Sequence, residues 1–129
     1  MEGMSFVLDA SVLLAIIGNE VGGERALELS RGGELSWLNA GEVFSKVVDR
    51  GGLLSDVAKL LDSLNVKLHD FIEADAVAVA EMRWPTRNVG LSFGDRACLA
   101  LGLRLGKPVL TAEHRWSAVD VGVAVHLLR

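Results

Sequence analysis

Residues 91–113 read LSFGDRACLALGLRLGKPVLTAE, and the fold class follows from this one stretch. Ser92, with an acid three residues later at Asp95, is a helix-start signature: the hydroxyl can accept an orphan backbone N–H, and the carboxylate can answer the cap's own. A helix therefore starts near Phe93. Its apolar face is Ala97, Cys98, Leu101 and Leu105, widened by Ala100 and Leu103. Gly106 and Pro108 end it in the expected order. Val109 and Leu110 follow at once as a short strand, closed by a turn at Thr111, Ala112 and Glu113. A helix running directly into a short apolar strand is one period of an alternating α/β chain.

The same alternation extends outward from this stretch. The first strand is the apolar run from Met4 to Leu8, ending at Asp9, and a helix follows from Ala10 to Ile17 with Ser11 near its start. Glycines at 18, 22 and 23 punctuate the chain before a second helix from Gly23 to Ser30. Glu34 to Leu38 reads as a short strand. Asn39 reads as the N-cap of the next helix, which places Glu42 at the third helical position, and Gly51 and Gly52 stop that helix after about Arg50. Leu53, Leu54, Val57, Leu60, Leu61 and Leu64 have helical spacing. Val66 to His69 is a third strand, Phe71 to Met82 a helix, 84–91 a loop with Pro85 and Gly90, and Gly122 to Leu127 the last strand. The expectation is a single α/β domain over 1–129, with a parallel sheet covered by helices on both faces. In such sheets ligands bind at the carboxyl ends of the strands.

At 129 residues a single solid core is feasible, since a domain of about 150 residues buries roughly 70% of its unfolded surface. The one cysteine, Cys98, excludes an internal disulfide and fits a reducing compartment. No apolar run approaches the roughly 20 residues of a membrane span, and no basic leader with a cleavable apolar stretch opens the chain. A soluble, cytoplasmic protein is expected. The formal net charge of −4 argues against a protein that coats nucleic acid non-specifically, which needs many contacts from cations to phosphates. It leaves room for an enzyme that acts on nucleic acid.

Four acids stand in separate contexts: Asp9 in FVLDAS, Glu42 in NAGEVFSK, Asp95 in SFGDRACL and Glu113 in PVLTAEHRW. Asp9 and Glu113 lie at or just beyond strand ends, and Glu42 and Asp95 near helix starts. A parallel sheet can gather such positions at one point, where unpaired carboxylates repel one another and call for a metal ion. Mg2+ takes hard oxygen ligands and keeps several waters, so two or three carboxylates suit it. Each acid also has an ordinary reading. Asp9 can cap the helix after it, Glu42 and Asp95 can be capping-box residues, and Glu113 can be a solvated helix-start acid. The case for a site rests on all four together.

The blocks LDAS at 8–11, AGEV at 40–43, LSFGDRACLAL at 91–101 and PVLTAE at 108–113 resemble the PIN-domain family, and specifically its VapC-type toxins of toxin–antitoxin pairs. The tail DVGVAVHLLR resembles the family's terminal strand, so the resemblance spans essentially the whole chain. It implies a three-layer α/β/α sandwich with a central parallel sheet of about five strands. It further implies an endoribonuclease using Mg2+ or Mn2+, which cleaves RNA with a metal-activated water. A cognate antitoxin protein would neutralise it, and a homodimer is the implied assembly. Asp9, Glu42 and Asp95 are the implied catalytic and metal-binding acids, with Glu113 as the fourth. Ser11 and Thr111 match small hydroxyl positions near that site. The family usually has Asp at the fourth position, and Glu113 is longer by one methylene. A non-catalytic PIN-like interaction module is the alternative.

Arg96, beside Asp95, and Arg115, two residues after Glu113, are candidate substrate-binding residues, because guanidinium groups grip phosphates bidentately. Lys46 lies four residues after Glu42, a plain helix partner. The histidines at 69, 114 and 126 lack zinc-ligand spacing, and Cys98 reads as core. Trp37, Trp84 and Trp116 can stack on bases; Trp37 reads rather as core at a strand end, and Trp84 and Trp116, next to loops, can also line a partner groove. A phosphatase or phospho-receiver reading is weak. The second acid of a D-x-D pattern is missing after Asp9, and a mid-chain acceptor acid with a late lysine is not evident.

Overall fold

The computed structural model describes residues 5–129. Met4, the expected start of the first strand, lies outside the described residues. Five strands form one sheet: β1 (Val7–Leu8), β2 (Glu34–Ser36), β3 (Lys67–His69), β4 (Val109–Thr111) and β5 (Val125–Leu127). Their order is β3-β2-β1-β4-β5, and every pairing is parallel. Six α-helices connect them among the described residues: α1 (Ala10–Ile17), α2 (Gly23–Leu29), α3 (Trp37–Asp49), α4 (Leu54–Ser63), α5 (Glu73–Arg83) and α6 (Phe93–Leu105). A 3-10 turn spans His114–Ala118.

Because successive strand residues face opposite ways, the central strands feed two cores. Leu8 and Leu110 pack with Leu13, Val43, Val57 and Leu61, from α1, α3 and α4. Val7 and Val109 pack with Val79, Met82, Leu99 and Trp116, from α5, α6 and the 3-10 turn. The sheet thus lies between two helical layers, as expected of an α/β/α sandwich. The strand order grows from β1 towards β3 on one side and jumps to β4 on the other. The point where it reverses, between β1 and β4, is where an open α/β sheet leaves a crevice at the strands' carboxyl ends.

Several boundaries differ from expectation, β1 starting only at Val7 among them, and two of the differences have consequences. Helix α3 starts at Trp37, capped by Ser36, whose Oγ accepts from the Leu38 amide. Only Glu34, Leu35 and Ser36 have partners on β3, so the strand ends there and the serine serves as cap. Asn39 is therefore an interior helix residue and no cap, and Glu42 is past the first turn. Trp37 becomes the first helical residue and is 49% exposed, whereas Trp116 is fully buried, the reverse of the expected roles. The last strand is also shorter than expected. Gly122 has φ +84°, and pairing to β4 starts only at Val125.

Candidate active site

Asp9 is the N-cap residue of α1, yet its side chain makes no cap hydrogen bond. Its Oδ2 instead accepts from Ser11 Oγ at 2.6 Å and from Thr111 Oγ1 at 2.9 Å. The second bond crosses the switch point from β1 to β4. The donors' directions are fixed from behind. Ser11 Oγ accepts from the Ala112 amide at 3.0 Å, and Thr111 Oγ1 accepts from the Glu113 amide at 3.0 Å. A hydroxyl has one proton to give, so both are directed at Asp9. That carboxylate is 4% exposed. Its pKa is raised to about 6, first by burial; the two hydroxyls pull it down, and the charges of Asp95 and Glu42 push it up.

Glu42 reaches the same place from α3. Asn39, fully buried, donates from Nδ2 to Glu42 Oε1 at 2.6 Å and to the Gly94 carbonyl at 2.9 Å. A β-carbon at Gly94 would stand 2.5 Å from Glu42 Oε2. The glycine of the SFGD block is thus the gap into which the Glu42 carboxylate fits, beside Asp95. Asp95 does two jobs at once. It completes the capping box with Ser92, accepting from the Ser92 amide at 2.9 Å while its own amide donates to Ser92 Oγ at 3.1 Å. Its Oδ2 also accepts from Arg115 Nη2 at 3.1 Å. The capping reading of Asp95 is correct, and Asp95 still lines the cleft.

Asp9, Glu42, Asp95 and Glu113 all line one cleft of about 270 Å³, together with Ser11. Glu113 is at its rim, half exposed and 3.9 Å from Arg115 Nε. Asp9, Glu42 and Asp95 share a pattern. Hydrogen bonds from the described residues fall on one oxygen of each, Oδ2, Oε1 and Oδ2 respectively. The side chain is thereby positioned while its second oxygen is left for another ligand. Among the described residues, no three His, Cys, Asp or Glu side chains stand close enough to hold one ion between them. The donor set is nonetheless all oxygen, and Mg2+ is commonly held by one or two carboxylates with water completing its shell. The mutual repulsion that helps raise the Asp9 pKa is what a cation would relieve. The donor set therefore fits a hydrated Mg2+ or Mn2+ held by two of these carboxylates, such as Asp9 and Asp95, and not by Asp9, Glu42, Asp95 and Glu113 together.

Other positions depart from expectation. Arg96 is turned away from the cleft. It is 6% exposed and donates to the Val79 carbonyl at 2.8 Å, because neighbouring residues on a helix point about 100° apart. The structure brings in Lys46, Arg50, Glu20 and Arg129 as further cleft residues. Arg50 was legible, since positions 42, 46 and 50 lie on one helix face. Arg129 had no local signal. It arrives from the chain's end and pairs with Glu20 at 3.3 Å. Cys98 is fully buried, and its thiol pKa is pushed well above the ordinary value, first by burial and then by the charges of Asp9, Asp95 and Glu42. That keeps it protonated and inert.

A family model described as the PIN domain matches residues 6–122. No curated protein matches the sequence. Among solved structures, a toxin–antitoxin complex from Klebsiella pneumoniae is similar with a TM-score of 0.75 at 14% identity, covering 97% of this chain and 98% of that one. VapBC2 from Rickettsia felis, bound to a DNA fragment from its promoter, gives 0.71 at 15% identity, with 95% and 98% covered. VapC20 from Mycobacterium tuberculosis, described as a toxin that cleaves the sarcin–ricin loop, gives 0.68 at 17% identity, with 91% and 97% covered. At these identities the likeness is one of fold.

Proposed function

Since the chain belongs to the PIN-domain family, we propose that it is a Mg2+- or Mn2+-dependent endoribonuclease of the VapC toxin type. The observation that carries this reading is the convergence of Asp9, Glu42, Asp95 and Glu113 on one cleft at the carboxyl end of the sheet. A divalent cation held by Asp9 and Asp95 would supply charge stabilisation at a phosphoryl oxygen and at the leaving oxygen. The chain's own groups do the rest. Ser11 and Thr111 fix the Asp9 rotamer, and Asn39 fixes Glu42, whose second carboxylate oxygen orients the water for in-line attack. Lys46 and Arg50, on the cleft wall, offset the charge of the substrate backbone. Arg115 is placed to exchange its contact with Asp95 for one with a phosphate.

The toxin part of the reading is supported by a fold shared with toxin–antitoxin proteins and by an apolar groove. Trp37, Phe44, Ala58, Leu61, Val66 and Leu68 line a groove of about 540 Å³ beside α3 and α4, a surface suited to an apolar antitoxin segment. The protein acts in the cytoplasm, as a homodimer, until antitoxin covers it. Among the described residues no helix is long and apolar enough to cross a membrane.

The test is RNA cleavage with Mg2+ or Mn2+ by the wild type, Asp9→Ala, Asp95→Ala and the double variant. The single variants lose cleavage by about a hundredfold or more with circular dichroism unchanged. Cleavage retained by a contaminant-free double variant removes the assignment. A wild type that neither binds the ions nor cleaves RNA is instead the non-catalytic interaction module. That alternative is favoured by the Arg115 side chain, which already pairs with Asp95.

A further inference from the structure

The turns between α5 and α6 form a second cleft, of about 360 Å³, lined by Arg83, Trp84, Thr86, Arg87, Leu91 and Arg96, with Gly90 at its edge. Three of these carry positive charge and none is acidic, in a chain whose net charge is −4. Trp84 is 71% exposed, second only to Val21 among the large apolar side chains of the described residues. It remains so with the Arg87 guanidinium 4.0 Å above its ring centroid. Arg87 Nη1 also donates to the Trp84 carbonyl at 2.8 Å, so guanidinium and indole are held as a unit. Thr86 anchors the turn beneath them, donating to the Met82 carbonyl at 2.7 Å. An indole left largely in water beside arginines is poor core chemistry. It is good chemistry for stacking a base with a phosphate alongside.

This cleft adjoins the acidic one. Arg115 donates from Nη1 to the Gly90 carbonyl at 3.2 Å and from Nη2 to Asp95 at 3.1 Å, and so bridges the two. Asp95 and Arg96, consecutive on α6, supply an acid to one cleft and a guanidinium to the other. We infer that the Trp84–Arg87 unit, with Arg83, is a stacking and phosphate subsite for single-stranded RNA flanking the scissile bond. The ligand class is taken from the nuclease reading above, while the residues are distinct from those that would carry the chemistry.

The experiment measures binding of a labelled oligouridylate of about ten nucleotides to the full chain, with divalent cations chelated so that no bond breaks. Trp84→Ala is expected to weaken binding about fivefold or more, and Trp84→Phe to restore most of it. Arg83→Ala combined with Arg87→Ala is expected to lower the slope of log affinity against log salt by about 1. The subsite is overturned if the wild type does not bind, or if all three variants bind with the wild-type affinity and salt slope. It is equally overturned if these variants lose a protein partner and keep RNA. A wild type that cleaves RNA while the variants bind normally removes the subsite and leaves the nuclease. A wild type that binds through Trp84 and never cleaves removes the nuclease and leaves the subsite.

Discussion

Asp9 and Glu34 are carboxylates of nearly equal burial, 4% and 3% exposed. Asp9 follows the last residue of β1 and Glu34 is the first of β2, so they occupy opposite ends of neighbouring parallel strands. Their pKa values nevertheless move in opposite directions. Burial pushes both up. At Glu34 this is outweighed by hydrogen bonds from His69, Lys107 and Ser5 and by the charge of Lys107, and the value falls below the ordinary 4.5. The contacts are close: His69 Nε2 at 2.9 Å, Lys107 Nζ at 3.1 Å and Ser5 Oγ at 3.1 Å. At Asp9 burial is the largest influence; the two neutral hydroxyls pull the value down, the charges of Asp95 and Glu42 push it up, and it stands at about 6. Both side chains are shut off from solvent, but Asp9 lies deeper, and its neighbouring charges are acidic where Lys107 stands beside Glu34. Asp9 thus carries a cost that an added cation would offset.

Asp9→Asn gives the largest effect on stability. With a folded pKa of about 6 against an ordinary 3.8, the folded chain takes up a proton before the unfolded one as pH falls. The penalty is therefore full above pH 6, shrinks between about 6 and 4, and is gone below. One pKa unit is about 1.4 kcal/mol, so the variant should be more stable by about 3 kcal/mol at pH 7.5 and equal to wild type near pH 4. Urea denaturation across this range measures it. Equal stability at pH 7.5 would show that Asp9 is better compensated than its surroundings imply, and the contrast with Glu34 would collapse. Mn2+ should narrow the gap at neutral pH by stabilising the wild type alone.

Gly94→Ala sharpens the same contrast from the neighbouring acid. Alanine is preferred over glycine within a helix by about 1 kcal/mol, but its β-carbon would fall 2.5 Å from Glu42 Oε2. The flexible end of Glu42 can yield, so the fold should survive and the carboxylate should swing from its place. The expected result is a chain at least as stable as wild type with cleavage reduced about tenfold, the scale seen when support around a metal site is lost. Full activity in this variant would mean that Glu42 does not act from the position it occupies.

The alternation of elements was legible because it rests on local rules. Helix α1 runs from Ala10 to Ile17 as its apolar run dictates, and α6 begins at Phe93 because Ser92 and Asp95 form the box that their spacing implies. The start of α3 was not legible. Ser36 and Asn39 are both good caps, and the choice depended on how far β2 could pair with β3. The four acids were singled out by position, and Glu113 stood apart by its extra methylene, but the partners that hold each acid were not legible. Thr111 lies about a hundred residues from Asp9, and only the parallel pairing of β1 with β4 makes it the partner that fixes Asp9. The directions of Asp95 and Arg96 could have been separated by helical periodicity alone. The destinations of Trp37, Trp116 and Arg129 depend on contacts between segments far apart in the chain, which no local pattern encodes.

The smallest effect belongs to the other end of the sheet. Glu34→Gln keeps the shape and removes the charge that Lys107 and His69 surround. Those two side chains are 33% and 24% exposed, so water still solvates them when the carboxylate is gone. The loss should be only about 1 kcal/mol. Its pH dependence is opposite to that of Asp9. The folded pKa is lowered, so the unfolded chain takes the proton first, and the Glu34 contribution is full above about pH 4.5 and lost as pH falls through the lower folded value. Wild type and variant should therefore differ by a constant amount near neutrality and converge in acid, with RNA cleavage identical throughout. A change in cleavage at constant stability would mean that the two ends of the sheet are coupled, and that Glu34 serves the site as well as the fold.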